Sequence, residues 1–186
     1  MKARVNRLTV ELRQGDIFAT PAAAIVVETD TNLTLEADLL RRAGPEVQQA
    51  CREIGWCAVG AAVITFGGWL PFERIIHAVG PRWGEGTERA RLAQVTAACL
   101  RLAEANRLKS AVFPPISTGA RGYPVENCAR TMLSQIVDYS FESLKHLRTI
   151  IVCVDSSLVF DTFHAELTRQ LASLSQDSSG PAQVRA

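Results

Sequence analysis

The segment FPPISTGARGYP, residues 113–124, marks a change of structure along the chain. It leaves an apolar run, passes Gly119 and Gly122, and enters a helical pattern at Val125 and Glu126. Glycines permit close backbone approach, and exposed amides near a helix start form a cradle for a diphosphate or a carboxylate. The segment matches neither the P-loop nor the Rossmann glycine spacing, so an ordinary strand-to-helix turn is an equal alternative.

Similar apolar runs recur through the chain. They are rich in β-branched residues and apolar throughout, which is typical of strands buried on both faces. The runs are AAIVV (23–27), AAVITF (61–66), RIIHAV (74–79), SAVFP (110–114) and TIIVCV (149–154). A less regular strand is predicted over Val5–Leu12, at an edge of the sheet.

Helical periods separate these runs. Apolar stripes at helical spacing lie within residues 92–103, 125–144 and 160–171, and residues 36–52 form a less regular fourth helix. Strands that alternate with helices need crossover connections, so the sequence predicts a three-layer α/β fold with a largely parallel sheet. In such sheets ligands bind beyond the carboxyl ends of the strands. The loops after residues 27, 114 and 154 are therefore the predicted site.

Composition restricts the class of protein. The chain has 186 residues, 47% of them hydrophobic, which fits one globular domain, predicted over residues 1–174. The polar segment 175–186 predicts a disordered tail. With 20 basic and 19 acidic residues the net charge is +1, which disfavours non-specific nucleic-acid binding.

Cysteine spacing and the first residues of the chain indicate the expected compartment. The 5 cysteines are widely spaced without a C-x-x-C pair, and the first residues lack the continuous apolar stretch of a secretory signal, so we expect reduced thiols and a cytoplasmic protein. The uncharged run 54–72 is interrupted by glycines and a proline, so no membrane span is expected. The 3 histidines lack ligand spacing, so no metal is expected.

The order of several motifs resembles the macrodomain family. These motifs are GDIF (15–18), AAIVV (23–27), AGPEVQQACR (43–52), GAAVITFGGWLPFERIIHAVGPRW (60–83) and FPPISTGARGYP (113–124). The resemblance extends from Leu8 to Leu171. It implies an α/β/α sandwich with a mixed, mostly parallel sheet, and a crevice that binds ADP-ribose or a related NAD metabolite without any further cofactor.

The resemblance also implies particular binding residues. Asp16 matches the acid that accepts a hydrogen bond from the adenine amine, with Ile17 beside it, although a turn residue after Gly15 is the simpler interpretation. An aromatic residue often ends the last strand of the family and stacks on adenine, where this chain has Val154 followed by Asp155. The matching diphosphate and distal-ribose loop consists of Ser117, Thr118, Gly119, Ala120, Arg121, Gly122 and Tyr123.

One segment departs from the family pattern. Hydrolytic macrodomains typically have an asparagine after the second strand and then a run of glycines, whereas VETDTNLTLEADLL (27–40) contains no glycine. The expected asparagine falls at about Asp30, with Asn32 nearby. The chain in this respect resembles the branch that includes the macro domain of the histone variant, which is a binding module. Asp30, Asn32 and Glu36 are the candidates for placing a catalytic water.

The remaining nucleophile candidates are weak. His77 lies between apolar neighbours, so a hydrogen-bonded core histidine is a better interpretation than a catalytic base. A pair of His77 with Cys57 or Cys153 has nothing in the sequence to orient it.

Three functions follow from these observations. The first is a module that binds ADP-ribose, free or attached to a protein. The second is a hydrolase that removes ADP-ribose from a side chain or deacetylates its acetyl ester. The third is an interaction scaffold whose crevice has lost its ligand.

Overall fold

The computed structural model describes residues 1–177, which form one seven-stranded sheet covered by helices. The strands are β1 (Lys2–Val5), β2 (Leu8–Gln14), β3 (Ala24–Glu28), β4 (Ala62–Phe66), β5 (Arg74–Ala78), β6 (Ser110–Phe113) and β7 (Thr149–Val154). The helices are α1 (Ala37–Ala43), α2 (Pro45–Ile54), α3 (Glu88–Ala105), α4 (Val125–Tyr139) and α5 (Ser157–Asp177), with a 3₁₀ turn at Ile17–Ala19.

The sheet is mixed and mostly parallel, as predicted. Its strand order is β1-β2-β7-β6-β3-β5-β4, and the interior pairs are parallel. The two outermost pairs, β1 with β2 and β4 with β5, are antiparallel. The parallel strands bring their carboxyl ends to one edge of the sheet, where the loops after β3 and β6 meet.

Two hydrophobic cores lie on opposite faces of the sheet. Alternate residues of each central strand point to opposite faces, so Val26 belongs to the larger core and Ile25 to the smaller one. Helices α3, α4 and α5 cover the larger core, and α1 and α2 cover the smaller one. This confirms the predicted three-layer α/β/α sandwich.

Three sequence-based boundaries differ from the structure. The predicted strand Val5–Leu12 is divided by a turn at Asn6, whose φ is 54°, so β1 forms the sheet edge and β2 pairs with β7 inside it. The run 61–66 becomes the edge strand β4, which is only partly buried. Helix 36–52 is two helices, because Gly44 at φ 89° ends α1 and Pro45 starts α2.

The last helix extends to Asp177, three residues into the predicted tail, and residues 178–186 of that tail lie outside the described residues. Within the described residues, none of the helices combines the length and apolar character needed to cross a membrane.

Candidate functional site

A cavity of about 750 Å³ lies beyond the carboxyl ends of β3 and β6. Residues after β6, from Pro114 to Arg121, form one wall, and residues 27–39 form the other. Ile17 and Phe18 close one end, and Arg82, which follows β5, also lines the cavity. The cavity thus lies at two of the three loops that the sequence predicted.

The loop 114–123 presents unpaired backbone amides to this cavity. Its own turns use the amides of Thr118, Gly122 and Tyr123, which donate to Pro115, Gly119 and Ser117 carbonyls at 3.3, 2.9 and 2.9 Å. Among residues 1–177, no acceptor lies within hydrogen-bond distance of the three amides at 119–121. Three successive donors at a concave wall are suited to binding an anion.

Two residues of this loop have backbone conformations in the left-handed region. Gly122 has φ +69° and open space around its α-carbon, so a glycine is needed for its conformation rather than for room. Ser117 also has a positive φ, 69°, and its fully buried hydroxyl has no hydrogen-bond partner among the described residues. Of the two glycines in the segment, Gly122 has the predicted positive φ, whereas Gly119 does not and has open space around its α-carbon.

Arg121 is engaged with the opposite wall. Its Nη2 donates to the Thr29 carbonyl at 2.6 Å, and its Nε lies 3.4 Å from Oε2 of Glu28. Only 17% of its side chain is exposed. Arg121, which the resemblance places in the diphosphate and distal-ribose loop, thus ties the two walls of the cavity together.

Glu28 is a cavity residue that the sequence interpretation missed. It is the last residue of β3, and burial raises its pKa, while a hydrogen bond from the Ser117 backbone and the charge of Arg121 act in the opposite direction. The signal was available in its position, because residues that directly follow a buried run stand at the carboxyl end of a strand.

Most backbone amides of the loop 28–36 are hydrogen-bonded within the protein. Oδ1 of Asp30 accepts the amides of Asn32 and Thr34 at 3.0 and 2.9 Å, and the Asp30 carbonyl accepts that of Leu33 at 3.1 Å. From α2, Oε1 of Gln48 accepts the amide of Leu35 at 2.9 Å. Four successive amides are therefore unavailable to a ligand.

The three catalytic candidates differ in position. Asp30 lines the cavity, but one of its carboxylate oxygens holds the turn. Glu36 lines the cavity and is exposed, and Asn32 does not line it. The structure thus brings two of the three to the cavity.

The segment 16–18 reaches the cavity through Ile17 and Phe18, whereas Asp16, which was predicted at the adenine, precedes them and does not itself line the cavity. Asp16 is exposed and caps the 3₁₀ turn, because its Oδ1 accepts the Phe18 amide at 2.9 Å. Ile17 and Phe18 line the cavity, and the guanidinium of Arg42 lies 4.6 Å from the Phe18 ring centre. Phe18, within the quoted GDIF motif, is the aromatic residue of this wall and was not among the predicted site residues.

The structure does not bring Val154 and Asp155 to the cavity. Val154 is 3% exposed and packs in the larger core, so its side chain has no access to a ligand. A phenylalanine there would overfill the core, at a cost of about 1–3 kcal/mol, rather than supply a stacking surface. Asp155 is exposed and does not line the cavity.

His77 is a core histidine. It is fully buried, burial lowers its pKa to about 4, and its Nε2 lies 2.8 Å from the Thr65 hydroxyl. The cysteine beside it is Cys51, at 3.7 Å, rather than Cys57 or Cys153, and burial raises the pKa of Cys51 to about 11. A thiol that stays protonated at neutral pH is a poor nucleophile. All five cysteines are free and buried.

Comparison with known sequences identifies the family. The Macro domain family model matches residues 33–132. An O-acetyl-ADP-ribose deacetylase of Enterobacter sp. (strain 638) is 36% identical over 156 residues, which cover 78% of this chain and 87% of the relative. A Macro domain-containing protein of Chlorobaculum tepidum is 33% identical over 170 residues, covering 87% of this chain and 97% of the relative. The chain belongs to the Macro domain family.

Solved structures agree with this assignment. The Oceanobacillus iheyensis macrodomain with ADP has a TM-score of 0.87 at 29% identity, covering 93% of this chain and 97% of that chain. A mutant of the same macrodomain with ADPR has a TM-score of 0.86 at 28% identity, covering 92% and 98%. A Trypanosoma brucei macrodomain in complex with ADP has a TM-score of 0.78 at 26% identity, covering 85% and 68%.

Proposed function

We propose that this macrodomain binds ADP-ribose, free or attached to a protein, in the cavity between residues 28–39 and 114–121. The main support is the set of three unpaired amides at 119–121, since diphosphate oxygens can accept all three. The solved relatives that carry ADP and ADPR support the same ligand class.

The two parts of the ligand occupy different ends of the cavity. Asp16, Ile17 and Phe18 receive the adenine, and the loop 114–121 receives the diphosphate. One oxygen of Asp16 caps the turn, which leaves the second oxygen for the adenine amine. The distal ribose then lies toward Glu28, at the end of β3.

Isothermal titration with adenosine, AMP, ADP and ADP-ribose tests this proposal. Affinity should increase at each step of the series, with the largest increase where the diphosphate is completed. Absence of binding by ADP-ribose to the folded protein would contradict the proposal and favour the scaffold alternative.

Replacing Asp16 tests the adenine end. Asp16→Ala should weaken ADP-ribose binding by about 1–3 kcal/mol, the range for a hydrogen bond to a charged group, and reduce the preference for adenine over guanine ligands. Because the same change removes a turn cap, thermal unfolding of the variant is the control. Unchanged affinity in the folded variant would remove Asp16 from the site.

Deacetylation of O-acetyl-ADP-ribose is the second candidate, favoured by the names of relatives such as the one from Enterobacter. We propose binding with little turnover instead, because the loop 28–36 has neither glycines nor free amides at positions 32–35 to hold the distal ribose. The resemblance to the binding branch that includes the histone variant's macro domain rests on the same loop.

A product assay distinguishes the two candidates. Purified protein is mixed with excess O-acetyl-ADP-ribose, or with a protein ADP-ribosylated on acidic side chains, and released acetate or ADP-ribose is measured. We expect no more than one product per protein molecule. Multiple turnover would establish the hydrolase, and single substitutions of Asp30, Asn32, Glu36 and Glu28 would then identify the catalytic group.

We also propose a cytoplasmic location. The five free, buried cysteines support it, since free thiols are typical of a reducing compartment.

A further inference from the structure

We propose that Arg82, and not Arg121, is the side chain that neutralises the diphosphate of the ligand. This inference rests on the proposed binding of ADP-ribose and adds the cation that the three amides lack. Arg82 belongs to neither the predicted diphosphate loop nor the candidate catalytic residues.

The two arginines that line the cavity differ in their partners. Arg121 is mostly buried and is held by the Glu28 carboxylate and the Thr29 carbonyl. Arg82 is exposed, and within residues 1–177 it makes neither an ion pair nor a hydrogen bond. A ligand can bind Arg82 without competing with a protein carboxylate, whereas the charge of Arg121 is already opposed by Glu28.

The backbone of Arg82 is held against the diphosphate loop on both sides. Before it, Gly80 packs so closely on the loop that a Cβ there would lie 2.2 Å from the Ser117 hydroxyl. After it, the Trp83 amide donates to the Arg121 carbonyl at 3.0 Å, and the Trp83 ring meets the Tyr123 ring edge-on at 5.3 Å. The backbone of Arg82 is thus held next to the loop that carries the three free amides, and its side chain lines the same cavity.

The charges of the cavity favour such a cation. Four carboxylates line it, of which Glu28 is paired with Arg121, and Asp38 with Arg41 and Arg42. Asp30 and Glu36 have no ion-pair partner in the described part of the chain. A diphosphate that enters beside two carboxylates without an ion-pair partner is stabilised by an opposing positive charge, and a guanidinium can donate two parallel hydrogen bonds to its oxygens.

The test is Arg82→Gln, which removes the charge and leaves a shorter, polar side chain. The matched control is Arg74→Gln, because Arg74 is an exposed arginine at the opposite end of β5. Each variant is titrated with adenosine, ADP and ADP-ribose at low and at high ionic strength, and thermal unfolding is recorded for both.

We expect Arg82→Gln to weaken ADP and ADP-ribose binding by about tenfold at low salt, less at high salt, and to leave adenosine binding unchanged. Arg82→Lys should restore part of the affinity, and Arg74→Gln should behave like the wild type. An unchanged ADP-ribose affinity in Arg82→Gln, or an equal loss for adenosine, would overturn the assignment of Arg82 alone. Failure of the wild type to bind ADP-ribose would instead overturn the proposed function, and this assignment with it.

Discussion

Residues 28–36 and 114–123 both follow a buried parallel strand and face each other across one cavity, yet they use their backbone amides in opposite ways. In 114–123, the amides at 119–121 are unpaired among the described residues. In 28–36, side chains of Asp30 and Gln48 accept the amides that would otherwise face a ligand. One loop is therefore suited to binding, and the other is suited to stability.

The largest expected effect is on stability, in the loop 28–36. Leu33 is fully buried, so Leu33→Ala should lower the free energy of unfolding by about 2–5 kcal/mol. The counterpart is Gly119→Ala, where an added Cβ meets no atom within 4 Å, so stability should change by less than about 0.5 kcal/mol. Urea denaturation measures both. Similar losses in the two variants would show that the loops do not differ in this way.

Asp30 provides the next largest effect. Asp30→Ala should lower the free energy of unfolding by about 0.5–2 kcal/mol, by analogy with loss of a helix cap, because two amides lose their acceptor. Asp30→Asn retains an acceptor oxygen and should preserve both stability and ADP-ribose affinity. If the wild type shows measurable turnover and Asp30→Asn abolishes it while affinity is unchanged, Asp30 is catalytic and the loop is not purely structural.

Burial of the Glu28 carboxyl should give a pH dependence of stability. Burial raises the pKa of Glu28 in the folded state above its ordinary value of 4.5. The stability that this group contributes is therefore complete below pH 4.5 and decreases as pH rises through the raised pKa. Glu28→Gln should remove this decrease, which urea denaturation at a series of pH values would measure. Parallel curves for the variant and the wild type would contradict it.

Glu36 should give the smallest effect. It is an exposed carboxylate at the cavity without an ion-pair partner among the described residues, so Glu36→Gln should tighten ADP-ribose binding about twofold at low salt and leave it unchanged at high salt. Titration at two ionic strengths provides the measurement, with Glu73→Gln as the control, since Glu73 precedes β5 at the opposite edge of the sheet. Weaker binding would mean that Glu36 contacts the ligand.

The difference between the loops also shows which features of the fold and site the sequence could predict. Apolar runs and helical periods predicted the layers and the mostly parallel sheet, because burial dictates those patterns. The glycines of 113–124 indicated the loop that carries the free amides, because backbone requirements leave a local signal. The pairing of Arg121 with Glu28 connects residues 93 positions apart along the chain and leaves no local signal.

The error at Val154 has a similar cause. Successive residues of β7 point to opposite faces of the sheet, so Cys153 belongs to the smaller core and Val154 to the larger one. Alignment to a motif gives a position along the strand, but a shift of one residue reverses the face. Gly44 shows the same limit in a helical region. The apolar helical period of the sequence continues through residue 44, although the positive φ of Gly44 breaks the helix there.

The edge-on contact of Trp83 with Tyr123 gives the diphosphate loop an optical reporter. Trp83 is 50% exposed, and its backbone amide donates a hydrogen bond to the Arg121 carbonyl. The remaining tryptophans, Trp56 and Trp69, belong to other segments. With Trp56 and Trp69 replaced by phenylalanine, the indole emission comes from the segment that adjoins the free amides. A ligand that enters this cavity is then expected to change that emission, which can be followed in real time without any label.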